Sequence, residues 1–223
     1  MQDNDYEILN KQRLYWDGVY EDNKEMFGNA PSVSAVRAAE LFKQSGVKTV
    51  LELGAGQGRD TLFFAQCGFT VYALEYSDNA IKAIKDEAKS LGLSERIITL
   101  KYDVRETLPF DNETFDACYS HMLFCMAITT KELEKICSEI GRVLKQGGVS
   151  IYTTRGTHDS HYTKGIHRGE DMYEMNGFIV HFLSKEKIEY LAKDFSKLEI
   201  DEFEEGELPR KLYYVVMRKI QKT

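Results

Sequence analysis

Three of the chain's five histidines fall within the fourteen residues 158–171, HDSHYTKGIHRGED, and His181 follows soon after. Imidazole is the side chain best suited to take or give a proton near neutral pH, and it is also a common metal ligand. His158 and His161 are spaced i, i+3. With Asp159 or Glu170 they supply the donor types of a transition-metal site. The same stretch carries Gly165 and Gly169, with Gly177 beyond, which suits a mobile polar loop over a binding site. A ligand set, an acceptor pocket with a proton-accepting histidine, and a solvated loop are therefore all open on these residues alone.

A second group of residues narrows the choice. VLELGAGQGRD, residues 50–60, places Gly54, Gly56 and Gly58 directly after an apolar run. Glycine lets a backbone turn tightly and approach a ligand closely. A dinucleotide fingerprint would place its third glycine one residue later, where this chain has Arg59. Glu52 stands two residues before the first glycine. A carboxylate facing this loop would repel a pyrophosphate and suit a ligand with an ammonium and a sulfonium, which favours S-adenosylmethionine over NAD. Glu75 ends the next apolar run, where a carboxylate can accept hydrogen bonds from both ribose hydroxyls of either cofactor. Asp103 in KYDVRE is placed to take an adenine amine, with the Val104 N–H meeting a ring nitrogen. YSHMLF puts Ser120, His121 and Met122 at the end of a fourth run.

The elements that must hold these residues alternate along the chain. Residues 7–20 read as a helix with Ile8, Leu9, Leu14, Tyr15 and Val19 on an irregular apolar face. Pro31 and Ser32 begin a second helix that stops at Gly46. KTVLELGAG is a strand, RDTLFFAQCG a helix, and FTVYALEYS a strand. Asp78 is expected to cap a helix that Gly92 ends. IITLKYDV and FDACYSHM are strands, and residues 130–145 a helix closed by Gly147 and Gly148. GVSIYTTR is a strand, and Ser184 caps a helix to about Ala192. KLEIDEFEE and KLYYVVMRK, joined by a turn at Gly206–Pro209, are expected to pair antiparallel. Repeated strand–helix units imply a doubly wound, Rossmann-like α/β sheet, mostly parallel, with a C-terminal antiparallel pair. The expected organisation is one domain over 1–223, with an N-terminal helical lid over 1–46 and an acceptor-side insertion over 156–181. Ligands of such sheets sit beyond the carboxyl ends of the strands.

These motifs resemble those of the class I S-adenosylmethionine-dependent methyltransferases. LELGAGQG resembles the family's first motif, Glu75 its acidic second-strand end, and Asp103 its adenine-side acid. The likeness spans roughly residues 35–155 and, in topology, the end of the chain. The small-molecule members of the tellurite-resistance and thiol-methylating type are nearest, partly through EEGELPRKLYYVVMRK. The resemblance implies that Glu52, Gly54, Ala55, Gly56, Gly58, Arg59 and Asp60 surround the amino-acid end of S-adenosylmethionine. It places Glu75 and Tyr76 at the ribose, Asp103 and Val104 at the adenine, and Ser120 and His121 beneath the methionine arm. Tyr15, Trp16 and Tyr20 of the YWDGVY segment become lid residues. Two patterns of related enzymes are absent. YSHM stands where base-amino methyltransferases carry [DN]PP[YF], and there is no early cysteine pair of the arsenic-methylating kind.

The same resemblance bears on the histidines. Methyl transfer from a sulfonium needs no Lewis acid, because the leaving group is already activated. The expected role of His158, His161 and His121 is therefore on the acceptor side, with no metal. YEMNGFIVHF adds apolar and aromatic walls suited to a small molecule. A non-catalytic S-adenosylmethionine-binding regulatory protein and a nicotinamide-dependent oxidoreductase are the alternative functions.

The composition limits the partners. Of 223 residues, 43% are hydrophobic and 29% charged, as in a soluble globular domain. A net charge of −7 argues against nucleic acid as a partner. No apolar run reaches the roughly 18 residues of a membrane span. The polar start of the chain is unlike a signal or transit peptide. The four cysteines lack CxxC spacing, which points to free thiols and a cytoplasmic protein. Neither the identity of the methyl acceptor nor the oligomeric state has a signal in the sequence.

Overall fold

The computed structural model of the protein describes residues 3–23, 28–206 and 210–220. Residues 207–209 of the expected last turn, and the side chain of Leu14, lie outside the described set. Ten strands occur in chain order: β1 (Thr49–Leu53), β2 (Thr70–Glu75), β3 (Ile97–Lys101), β4 (Phe115–Ser120), β5 (Leu144–Arg155), β6 (Ile166–His167), β7 (Met172–Met175), β8 (Phe178–His181), β9 (Phe195–Glu205) and β10 (Arg210–Lys219). The α-helices are α1 (Asp3–Asp22), α2 (Val33–Gln44), α3 (Arg59–Gln66), α4 (Asp78–Ser90), α5 (Thr130–Val143) and α6 (Lys185–Leu191). Seven strands form one sheet in the order β3-β2-β1-β4-β5-β10-β9. The first five are parallel, while β10 runs antiparallel to both β5 and β9. This is the expected doubly wound fold with its antiparallel close.

Both faces of the sheet are covered, so its central strands are apolar on both sides. On one face Leu51, Leu53, Leu74 and Cys118 pack against Leu133, Ile136 and Ile140 of α5 and Ile188 of α6. On the other, Val50, Val71, Ala117 and Tyr119 pack against Phe42 of α2 and Phe64 of α3. Alternation along β1 therefore turns Glu52 to the α2–α3 face. The α5 face follows from Leu133, Ile136, Cys137, Ile140 and Val143 at helical spacing, and a Thr129–Glu132 capping box starts that helix.

Three local expectations are corrected. Ser77, not Asp78, caps α4, its hydroxyl accepting from the Ala80 N–H; Asp78 sits in the first turn and pairs with Lys101. Gly147 and Gly148 do not close α5. The helix ends at Val143, and the glycines lie at the irregular start of β5, where the pairing with β4 shifts register. A Cβ at Gly148 would stand 2.8 Å from the Lys145 carbonyl oxygen. The segment after β5 is also not a plain loop. Its residues form an antiparallel sheet, β6-β7-β8. Asn176 and Gly177, both with positive φ (52° and 79°), make the two-residue turn between β7 and β8, as hairpin twist favours.

One buried carboxylate joins α2, α3 and β4. Asp60 accepts from the Ser32 N–H (2.8 Å), the Ser32 hydroxyl (2.7 Å) and the Tyr119 hydroxyl (3.1 Å). Ser32 also caps α2 through the Ala35 N–H. Asp60→Ala leaves these buried donors without their acceptor. It is expected to lower unfolding free energy by about 2–4 kcal/mol. Urea denaturation measures this, and a change below about 0.5 kcal/mol would remove Asp60 from the fold's framework.

Candidate active site

The strand order reverses between β1 and β4, which opens a crevice beyond their carboxyl ends. The glycine loop fills its floor. The Gly54 and Ala55 N–H groups donate to the Leu74 carbonyl at 2.9 and 3.1 Å. Gly56, at φ 53°, faces α1 so closely that a Cβ there would stand 3.1 Å from the Tyr20 hydroxyl. Gly58, at φ 88°, begins α3 beside Ile84.

Two carboxyls flank this loop. Glu75 is buried at the end of β2 and accepts from the N–H groups of Gly56 (2.9 Å), Tyr76 (2.9 Å) and Ser77 (3.0 Å). Burial nevertheless outweighs these three donors and raises its pKa. Glu52 is 2% exposed and accepts from the Thr61 hydroxyl of α3 at 2.6 Å. Burial, reinforced by the nearby Asp60 and Glu75 carboxylates, pushes Glu52 up to about 8 despite the Thr61 hydrogen bond. Among the described residues, no cation pairs with either carboxyl.

The next residues form a hub at the end of β4. Ser120 donates to the Leu53 carbonyl at 3.0 Å and so ties β4 to β1. The Nδ1 of His121 lies 2.9 Å from the Ser34 hydroxyl and 3.0 Å from that of Thr153. Its Nε2 lies 3.2 Å from Arg59 Nη2 and 3.3 Å from the Glu205 carboxylate. Arg59 also approaches Asp60 at 3.7 Å. Burial would raise the Glu205 carboxyl, but His121 and Arg59 hold it below the usual carboxylate range. Asp103 is gripped by the Arg105 guanidinium, with contacts of 3.0 Å from Nε and 2.8 Å from Nη2. Val104 beside it is buried.

The first helix covers this ground. Tyr20 reaches Gly56, and burial together with the Glu75 carboxyl raises its phenol pKa. The Gln57 side chain donates to the Asn23 carbonyl, and Arg105 to the Asn10 side chain, both at 2.8 Å. The far side of α1 meets the β6–β8 sheet. Trp16 and Tyr15 pack on Phe178, with ring centres 5.4 and 5.5 Å away, and Gln12 donates to the Gly177 carbonyl. The helix thus spans the glycine loop and the small sheet.

The histidines are dispersed. His158 packs on the Tyr213 ring and lies 3.8 Å from Glu202. His161 is held by Arg155 and Asp159. His167 faces the Glu170 carbonyl and Tyr173. His181 is fully buried, between the Ile128 carbonyl (2.7 Å) and Lys187 (3.0 Å), and burial with the Lys187 charge lowers its pKa. Among the described residues, His121, His158 and His161 share no hydrogen-bond or ion-pair partner. Among the described residues no three His, Cys, Asp or Glu side chains group as a metal would need. Sequence reasoning missed Thr61, Thr153, Arg155 and Glu205. Each lies in an ordinary helix or strand; Thr61, Thr153 and Glu205 acquire their partners from other segments, and Arg155 from the turns after its own strand.

Residues 50–148 match the family described as a methyltransferase domain. The phosphoethanolamine N-methyltransferase 1 of Triticum aestivum is 31% identical over 149 residues, covering 61% of this chain and 28% of that protein. Among solved structures, TehB of Haemophilus influenzae superposes with a TM-score of 0.65 at 18% identity, covering 92% of this chain and 67% of that one. A Burkholderia thailandensis 1,6-didemethyltoxoflavin-N1-methyltransferase, with its substrate and S-adenosylhomocysteine bound, superposes with a TM-score of 0.71 at 15% identity and covers 99% of this chain and 92% of that one. The chain has the class I S-adenosylmethionine-dependent methyltransferase fold, and its residues 50–148 are similar in sequence to a methyltransferase domain. It spans less than half the length of the curated relatives it matches.

The residues present fit S-adenosylmethionine, the cofactor that this fold implies. A loop with no side chains at Gly54 and Gly56 leaves its backbone approachable. Two buried carboxyls without a described cationic partner suit a ligand that brings its own positive charge. No described helix of the methyltransferase domain is long and apolar enough to cross a membrane.

The raised Glu52 pKa gives a signed pH dependence. The unfolded chain loses this proton near 4.5 and the folded protein near 8, so between those values the folded state holds one more proton. Unfolding free energy is expected to fall as pH rises through that window, by up to about 1.4 kcal/mol per unit. A ligand ammonium that needs the carboxylate should displace the proton, so affinity for S-adenosylhomocysteine should rise with pH up to about 8. Calorimetry in two buffers of different ionisation enthalpy measures the proton released. Identical proton release and pH slopes in Glu52→Gln would show that another group is responsible.

Proposed function

We propose that the chain binds S-adenosylmethionine across the carboxyl ends of β1, β2 and β4 and methylates a small-molecule acceptor held between that edge and the β6–β8 sheet. The observation that carries this reading is the pair of buried carboxyls, Glu52 and Glu75, on either side of an open glycine loop. S-adenosylmethionine supplies the methyl group on a sulfonium that is already an activated leaving group.

The chain's own residues supply binding, alignment and exclusion of water. Glu52 takes the ammonium. The backbone of Gly54, Ala55, Gly56 and Gly58 lines the amino-acid end, with Arg59 and Asp60 setting the start of α3 beneath it. Glu75 and Tyr76 hold the ribose. Asp103, kept in place by Arg105, and Val104 hold the adenine. Ser120 and His121 lie under the reacting end. Tyr15, Trp16 and Tyr20 make α1 a lid that closes over the cofactor while resting on the acceptor-side sheet. Holding two reactants in attack geometry contributes up to ~7–11 kcal/mol in favourable cases, so a neutral nucleophile needs little else.

A small-molecule acceptor is supported by the walls of the acceptor side. Cys125, Val180 and Phe182 form a buried cluster there with Met122, Met126, Tyr162, Tyr173 and Phe178 against it. Related proteins point the same way: the wheat enzyme is named for phosphoethanolamine, and the Burkholderia structure holds 1,6-didemethyltoxoflavin. His121, His158 and His161 belong to this acceptor side.

Glu75→Ala removes charge-assisted hydrogen bonds to the ribose. It is expected to weaken S-adenosylhomocysteine binding by ~1.5–3 kcal/mol, about ten- to a hundredfold. Gly56→Val forces a branched side chain into positive φ against Tyr20 and should abolish binding measurable by calorimetry. Unchanged affinity in both variants would displace the cofactor from this loop. Turnover is read as S-adenosylhomocysteine formed with thiols, chalcogen oxyanions, amines and phenols. Binding without turnover on any of them would turn the chain into a cofactor-responsive binding protein.

A further inference from the structure

The end of β5 carries a buried ion pair that the cofactor site does not use. Arg155 and Asp159 meet at 2.6 Å, with side chains 7% and 1% exposed. Asp159 Oδ1 accepts from Arg155 Nη2 and, at 2.8 Å, from the His161 backbone N–H; Oδ2 accepts from Arg155 Nε (3.3 Å) and from the Lys211 N–H (2.9 Å). The same Arg155 Nη2 stands 2.8 Å from Nδ1 of His161. One ion pair therefore holds both the backbone and the ring of this histidine.

The chemistry of that second contact fixes a proton. A guanidinium has only donors, so Nδ1 of His161 must be the acceptor. An imidazole that accepts at Nδ1 carries its hydrogen on Nε2. The ring can then present an N–H from its far side, and the lone pair that a base would use is already occupied by Arg155. The location matters as well. The Arg155 guanidinium lies over the Phe182 ring at 5.0 Å. Phe182 shares its cluster with Cys125 and Met122. Met122 lies two residues beyond β4, is held at a left-handed φ of 62°, and donates its N–H to the Thr153 hydroxyl of β5. His161 is thus mounted on the wall that joins the ends of β4 and β5.

We propose that Arg155 is a positioning residue that locks His161 as an Nε2–H donor to the methyl acceptor, so that the acceptor offers a lone-pair oxygen or nitrogen at that point and not an ammonium. The placement of the acceptor rests on the function proposed above; the lock itself does not. It assigns His161 to recognition instead of proton removal.

Two-bond proton–nitrogen correlation spectra of protein labelled with ¹⁵N-histidine read the tautomer directly, with His161→Gln identifying the signals. At about pH 8, wild type should show a protonated Nε2 and a bare Nδ1 at His161. Arg155→Lys, which keeps a donor, should preserve that pattern, and Arg155→Met should raise the Nδ1–H population severalfold. Should the Met variant fail to fold, the wild-type and Lys spectra decide. An Nδ1–H or doubly protonated His161 in wild type overturns the lock. On the acceptor returned by the turnover panel, His161→Gln keeps a donor and should raise KM less than threefold. His161→Phe should raise KM at least tenfold with kcat little changed. Equal losses in the two variants overturn the donor role. A panel without turnover counts against the proposed function and leaves the tautomer measurement standing.

Discussion

Carboxyl groups buried at the ends of parallel strands, without basic side chains to match, are the constraint around which this molecule is arranged. Glu52 and Glu75 are both buried, yet among the described residues they receive hydroxyl and N–H donors only. Such donors satisfy lone pairs but do not compensate a full charge. The unliganded protein therefore keeps Glu52 protonated well above the usual carboxylate range. Asp60, equally buried, shows the contrast. Its oxygens are occupied by Ser32 and Tyr119, with Arg59 near by, and it serves to join elements. Three acids on the same face thus divide into one that builds the crevice and two that leave it electrostatically incomplete.

That incompleteness explains why the glycine loop needs a cover. A charged ligand held by carboxyls is bound more strongly where water is kept out. The cover here is α1, which has little core of its own. It draws its position from Tyr20 on the glycine loop, from Asn10 on Arg105, and from Gln12, Tyr15 and Trp16 on the β7–β8 hairpin. One helix thus rests on both the glycine loop and the β6–β8 sheet. The aromatic rings of this contact lie 5.4 to 5.9 Å apart, in mutual packing distance. The contacts of Tyr15 and Trp16 with Phe178 hold α1 to the hairpin.

The glycine loop and the carboxyls beside it were legible in the sequence because their information is local. Gly54, Gly56 and Gly58 follow an apolar strand directly, and Glu52 and Glu75 sit at fixed offsets from strand ends, so strand–turn–helix periodicity alone places them on one edge. The mostly parallel sheet followed from the same alternation, and its antiparallel close from the short turn between the last two strands. What sequence reasoning missed depends on contacts between distant segments. Ser34, Thr153 and Glu205 converge on His121 from α2, β5 and β9, and no spacing rule connects them. One failure was avoidable. Asn176–Gly177 between MYEM and FIVH is a hairpin signal of two-residue type, and it was passed over because the surrounding glycines and histidines suggested a loop. The glycines at 147 and 148 misled in the opposite sense: they looked like a helix stop, yet they accommodate a register shift at the start of β5.

The histidines that drew attention as a cluster are separated by their elements: His158 and His161 lie in the turns after β5, His167 in β6 and His181 in β8. His158 turns back onto Gly156, where a Cβ would stand 2.3 Å from its ring, and packs against Tyr213 of β10. His161 turns to the Arg155–Asp159 pair, and His181 lies beneath the hairpin against Lys187 and Ile128. Each ring is thereby committed to a different partner, and the partners differ in kind: an aromatic face, a permanent cation, and a carbonyl with an ammonium. Partner chemistry, more than residue type, sets what an imidazole can do, since a cation at one nitrogen dictates where the ring's hydrogen must sit. Of these three rings, His158 and His161 remain partly open to solvent while His181 is fully enclosed, so only the first two could meet a ligand directly.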